Sequence, residues 1–186
     1  TINSDVIPEG AFEGASSLET VTITSSDVVI YEKAFSGAEN LHTVTFANDS
    51  DVVIRALAFA NTDSLEEFTL PNGNVSLEGN VFLNSSLEKL TLNPFTKLES
   101  ISNSPFNNAN AFNEIELDGE SQYYNVVDGL LFDKNNTLLL VPTQNVEKVH
   151  EKIIVDYTTK IKQYIIYAHF VWAVTLHIGG KIMENE

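Results

Sequence analysis

A mostly β, or α/β-type, solenoid wound as a right-handed superhelix of coils about 23 residues long is the architecture expected of this chain, on three observations. Phe12, Phe35, Phe59, Phe82 and Phe106 recur at intervals of 23, 24, 23 and 24 residues. Five residues before each stands an aliphatic side chain: Ile7, Ile30, Ile54, Leu77 or Ile101. Five or six residues after each, Leu18, Leu41, Leu65, Leu87 or Phe112 opens a run of the form L-x-x-V-x-I.

The runs justify the strands. Val21/Ile23, Val44/Phe46, Phe68/Leu70, Leu90/Leu92 and Ile115/Leu117 alternate with polar residues, so the first, fourth and sixth places of each run face inward. This is the strand of a leucine-rich repeat. The rest of each coil is a corner and a return path on which the Phe enters from the opposite wall, while the aliphatic residue five places earlier closes the layer. One such coil cannot bury its apolar side alone, so neighbouring coils must stack. Ala15, Ala38, Thr62, Ser85 and Ala109 fall three after each Phe, where the chain bends back and bulk would crowd the next coil.

Residues 1–121 therefore hold five repeats. Residues 122–146 form a different unit: Asp128-Gly129 and the Asp133–Thr137 cluster are turn signals, and the apolar runs 130–132 and 138–141 read as an inserted β-hairpin. Residues 147–186 read as a degenerate sixth repeat at Ile161, Ile166, Val171, Val174 and Leu176, with Lys181-Ile182 opening a seventh. Repeat one shows no preceding strand, and both ends look open.

LEEFTLPNGNVSLEGNVF, Leu65–Phe82, fits the L-x-x-L-x-L-P-x-x-L-x-x-I-G-x-x-A-F layout of BspA-like leucine-rich repeat proteins, and the chain resembles that family over nearly its whole length. The interposed DGLLFDKNNTLLLVP is similar to the D-G-V-L-Y…L-L-x-Y-P insertion of the same proteins. The resemblance implies a surface-exposed or secreted protein of a host-associated bacterium or parasitic protist, adhesive rather than enzymatic. The chain departs from the family in carrying Ala, Thr or Ser where Cys is frequent.

Composition excludes several other classes. Ten Lys and Arg against 26 Asp and Glu give a net charge of −16, which rules against a grip on phosphate backbones and so against nucleic acid. The acidic excess sits in residues 1–146, with 5 basic and 21 acidic side chains; residues 147–186 hold 5 of each. Without cysteine, disulfides, thiolate metal sites and cysteine nucleophiles are impossible. Tyr164 to Ile178 is apolar but interrupted by His169 and His177 and shorter than the ~20 residues a bilayer core requires, so it reads as a buried strand-rich segment and not as a membrane insertion. No basic and apolar leader opens the chain at Thr1, and a removed leader would look the same.

Catalytic, cofactor and metal chemistry find no pattern. His42, His150, His169 and His177 lack ligand spacing, and no Ser or Thr pairs with a His and an acid. His42, at the second strand position of repeat two, is expected to be exposed. Glu66/Glu67, Glu114/Glu116/Asp118 and Asp49/Asp51 follow from abundance. NDSD at 48–51 lacks the spacing of a calcium loop, and DKNNT at 133–137 is a turn. The sequons at Asn48, Asn74, Asn84 and Asn135 follow from a composition rich in Asn, Ser and Thr.

The feature with most functional content is the outward set of the strand face: Thr20, Thr22, Thr43, Thr45, Glu67, Thr69, Lys89, Thr91, Glu114 and Glu116. With coils about 4.8 Å apart, Thr22, Thr45, Thr69 and Thr91 would form a continuous hydroxyl ladder ending in Glu116. Thr is also an ordinary choice for an exposed strand. A concave solenoid sheet offers wide, rigid area, so the expected function is a non-enzymatic recognition or adhesion module taking a host or microbial surface protein or glycan there. The alternatives are a spacer section of a longer surface solenoid and, last, a carbohydrate-active enzyme using the acidic pairs. End-to-end self-association through open edges is a further expectation.

Overall fold

The computed structural model describes residues 1–101 and 105–145, together with the backbone of residues 160–161, 177–178 and 181–182. The strands of the repeats are β1 (Val6–Ile7), β2 (Thr20–Ile23), β3 (Asp27–Ile30), β4 (Thr43–Phe46), β5 (Asp51–Ile54), β6 (Glu67–Leu70), β7 (Asn74–Leu77), β8 (Lys89–Leu92), β9 (Lys97–Ile101) and β10 (Glu114–Leu117). No α-helix occurs among the described residues. The even-numbered strands are the L-x-x-V-x-I runs, with alternating exposed and buried residues as the sequence requires.

The return path holds more than a single closing aliphatic residue. It carries the odd-numbered strands, which form a second parallel sheet in the order β1-β3-β5-β7-β9. Ile7 pairs with Ile30, Ile30 with Ile54, Ile54 with Leu77 and Leu77 with Ile101, so each of the aliphatic residues read from the sequence lies on a strand stacked on its copy in the next coil. The first coil does have neighbours to its strands: β1 joins the second sheet, and Ile2 bridges Ile23 in parallel.

The core lies between the even-numbered strands, the odd-numbered strands and the segments that carry the phenylalanines. Phe35, Phe59 and Phe82 are wholly buried, Phe106 nearly so, and Phe12 half-buried. Their rings stack in one line, with centroids 5.1, 5.2, 5.8 and 5.3 Å apart and planes within 14° of parallel. Dispersion between successive coils thus adds to apolar burial.

Two backbone devices turn each coil around its Phe. Two residues after it stand Gly14, Gly37, Asn61, Asn84 and Asn108, all left-handed with φ between 55° and 71°. Gly and Asn are the residues that adopt this conformation at low cost. The asparagines also bond to one another, Asn84 Nδ2 donating to Asn61 Oδ1 and Asn108 Nδ2 to Asn84 Oδ1, each at 3.1 Å. Two residues before the Phe, Gly10, Lys33, Leu57 and Asn80 are left-handed as well. The small residues three after it are buried at Ala38, Thr62, Ser85 and Ala109, and the Thr62 hydroxyl donates back to the Phe59 carbonyl at 2.9 Å.

After β10 the chain leaves the repeat. The inserted hairpin is present as β12 (Leu130–Asp133) and β13 (Thr137–Leu140), and a strand not anticipated, β11 (Tyr124–Val127), precedes it to make an antiparallel meander. Asp128 and Gly129, both with positive φ, form the β11–β12 turn. The Asp133 carboxylate accepts from the amides of Asn135 and Thr137 at 2.9 and 2.8 Å, shaping the second turn. Tyr124, Leu131 and Leu140 join the solenoid core, so the meander packs against the last coil. The Tyr124 hydroxyl accepts the Leu98 amide of β9 at 2.7 Å, beside a β-bulge in the β7–β9 ladder.

Beyond it, β14 (Lys160–Ile161) stacks in parallel on β13, pairing Ile161 with Leu138. The residues read as the remainder of the sixth repeat, Ile166, Val171, Val174 and Leu176, lie outside the described residues. Lys181-Ile182, read as the opening of a seventh repeat, forms β16, which pairs antiparallel with β15 (His177–Ile178). Two residues separate these strands in the sequence, a hairpin-length spacing.

Candidate functional site

The outward residues of the even-numbered strands share one face. Thr20, Thr22, Thr43, Thr45, Glu67, Thr69, Glu114 and Glu116 are exposed, while Lys89 and Thr91 are half-buried. Register sets Thr20 beside Thr43 and Thr22 beside Thr45. On the following coils it sets Glu67, Lys89 and Glu114 in one row and Thr69, Thr91 and Glu116 in another.

The hydroxyl ladder expected from the sequence is not continuous. The even-numbered strands form two sheets, β2-β4 and β10-β8-β6, with no pairing between β4 and β6. The column is therefore Thr22–Thr45, a break, then Thr69–Thr91–Glu116. Elsewhere the boundary between coils is anchored at the entry to the strand: His42 donates to the Glu19 carbonyl at 3.0 Å, Glu88 to Glu66 at 2.8 Å, and Asn113 to Glu88 at 3.0 Å. At this boundary Glu66 turns to its own coil and donates to Ser64 at 3.2 Å. At the strand exit Ala47 donates to Ile23 and Asp118 to Leu92, but Pro71 stands in that place and has no N–H to give. Packing works in the same direction. Phe68 occupies an inward place held by Val21, Val44, Leu90 and Ile115 in the other repeats, and its ring meets Phe46, Phe59 and Phe82 edge-on at 5.8, 5.1 and 5.0 Å. Two aromatic rings at one coil boundary need more width than two aliphatic chains.

The break opens a cleft of about 420 Å³. Thr43, Thr45, Glu67 and Thr69 of the predicted set line it, joined by His42, Asn48, Asn93 and Pro71, with Val44 and Phe46 among the lining residues from the inward side of β4. Thr20, Thr22, Lys89, Thr91, Glu114 and Glu116 do not line it. The His42 ring Nδ1 lies 2.9 Å from Thr43 Oγ1. The side chains of Thr69 and Asn93 have no hydrogen-bond partner among the described residues. Asn93 and Pro71 carry a sequence signal: both follow directly on their strands, in a place held elsewhere by Thr24, Ala47 and Asp118.

Charge on the face is concentrated away from the cleft's Thr-lined side. Lys89 Nζ lies 3.2 Å from a Glu67 oxygen and 3.3 Å from one of Glu116, tying three coils together. Its hydrogen bonds to Glu67 and Glu116 hold the ammonium protonated above the ordinary lysine value of 10.5. In Tyr124, burial raises the phenol above its ordinary value, against the lowering effect of its bond to the Leu98 amide.

Several other side chains singled out from the sequence have structural partners. Asp51, in the 48–51 segment, accepts from the Asn74 amide at 2.6 Å and from its side chain at 3.1 Å. Asn48 accepts from Asn72 Nδ2 at 3.0 Å. Among the described residues no three His, Asp or Glu side chains converge as a metal site, and no helix is long and apolar enough to cross a membrane. His150 and His169 lie outside the described residues.

The crystal structure of a leucine-rich repeat protein from Eubacterium ventriosum superimposes with a TM-score of 0.47 at 18% sequence identity, over 74% of this chain. The chain spans 44% of the length of that protein. No curated protein matches the chain. The family model for the BspA type leucine-rich repeat region matches residues 52–170 in six copies, well over half of the sequence. With that match and the stacked coils above, the chain belongs to the BspA type leucine-rich repeat family.

Proposed function

We propose that the chain is a non-enzymatic recognition module, displayed at a cell surface or secreted, that takes a protein or glycan partner on the face of its even-numbered strands. The supporting observation is the cleft between β4 and β6, where four of the ten outward residues meet two carboxamides and an imidazole on a rigid, repeat-built frame. Pre-ordered concave surfaces bind without the cost of folding a loop around the partner. Surface display rests on the family, whose members are credited with adhesion by resemblance.

Immobilised chain, exposed to purified extracellular-matrix and mucosal glycoproteins, should capture a partner whose binding is abolished by Thr45→Arg with Thr69→Arg. Charge reversal at Glu114 and Glu116 reports whether the acidic end of the face takes part. Binding that survives all four substitutions removes this face from the reading.

The spacer reading has its own support in the Asn61–Asn84–Asn108 ladder, which joins successive coils side chain to side chain. A full-length protein with many further repeats and a wall or membrane anchor, in which the strand face binds nothing, would favour it.

A further inference from the structure

We infer that the β4–β6 cleft is a subsite for a neutral sugar unit. The inference rests on the strand face being the recognition surface and names the chemistry one part of it accepts. The cleft, about 420 Å³, falls within the ~300–1,000 Å³ of small-ligand sites. Apart from His42 and Glu67 its polar side chains are uncharged: the hydroxyls of Thr43, Thr45 and Thr69 and the carboxamides of Asn48 and Asn93. Each hydroxyl both donates and accepts, and each carboxamide offers two donors and an acceptor, a set that matches the mixed donor and acceptor pattern of a polyol. The one carboxylate, Glu67, is already paired with Lys89. Thr69 and Asn93 have side-chain hydrogen-bonding capacity that no described residue takes up. Val44 and Phe46 of β4 complete the lining and limit its polar character.

Two competing ligands fit less well. An extended peptide cannot complete the sheet here. The Cα atoms of β4 and β6 approach within 8 Å, short of the roughly 9.6 Å an inserted strand needs at about 4.8 Å to each neighbour. An anionic ligand would enter the field of a chain of net charge −16 and find no unpaired cation in the cleft.

The test is amide-resolved NMR of the whole chain titrated with the methyl glycosides of glucose, galactose, mannose and N-acetylglucosamine, with the methyl glycoside of N-acetylneuraminic acid and a lysine oligopeptide as separate arms. The expected result is saturable shifts at Thr43, Thr45, Glu67 and Thr69 with at least one neutral glycoside and none there with the anionic one. Thr45→Val and Asn93→Ala should each weaken that binding about tenfold, while Ser76→Ala, on β7 of the opposite sheet, leaves it unchanged. The variants' own spectra report whether they are folded. No shift at the cleft with any neutral glycoside, or shifts unaffected by Thr45→Val and Asn93→Ala, overturns the assignment. If the lysine oligopeptide or a captured glycoprotein moves strand-face amides while the glycosides do not, the sugar assignment fails and the recognition face stands. If nothing moves them, both fail.

Discussion

Phe59 shows how much one side chain contributes to this fold. It is fully buried and meets Phe35, Phe82 and Phe68, so Phe59→Ala removes contacts to two neighbouring coils at once. The expected loss is about 3–5 kcal/mol, read from the denaturant midpoint at unchanged m-value; Phe12→Ala, at a half-buried ring with a single stacked neighbour, should lose clearly less. Leu57 is the opposite case. It holds φ at 62°, where a non-glycine residue costs roughly 1–2 kcal/mol, and Asn80 stands in the same place one coil later. Leu57→Asn should therefore raise stability, by up to about 1 kcal/mol in the same measurement; a loss would mean that the packing of the half-buried leucine outweighs the backbone gain. The left-handed position two after each Phe was open to reading, because Gly14, Gly37, Asn61, Asn84 and Asn108 are the residue types it tolerates. The one two before was not, since Lys33 and Leu57 are types that normally avoid it.

Strands divide into those whose partners leave a local mark and those whose do not. The L-x-x-V-x-I runs announce themselves by alternation within six residues. The second sheet rests on DVVI, DVVI and NVSL at 27–30, 51–54 and 74–77, short runs whose hydrogen-bond partners lie a full coil away, so that only their final aliphatic residue stood out. β11 leaves no local mark for a similar reason: the partner of Tyr124, the Leu98 amide, lies a full coil away. Tyr124→Phe keeps the ring and removes that acceptor, and should cost about 1–2 kcal/mol by leaving a partly buried N–H unpaired. Hydrogen exchange at Leu98 should rise selectively in the variant, since the meander's remaining apolar contacts persist.

Across the whole molecule, coils 3, 4 and 5 share the Glu67–Lys89–Glu116 network. The folded-state pKa of Lys89 lies above its unfolded value, so the network's contribution is fully present below about pH 10.5 and is lost as pH rises through the folded value. Comparison of the chain with Lys89→Met by chemical denaturation should show the difference between them shrinking above that pH and also shrinking in high salt, because the pairs are solvent-accessible. A difference that is constant to pH 12 would mean that the lysine stem, not its charge, matters.

The period, the ring line, the inward and outward sides of the repeat strands and the inserted hairpin could all be read from the residues, because each depends on side chains spaced along one chain or on a turn's local chemistry. The split strand face could not. Pro71 and Phe68 are unremarkable one at a time. Whether a strand joins its neighbour depends on how a missing donor and a wide ring fall against a coil about 24 residues earlier, and that juxtaposition exists only once the coils are stacked.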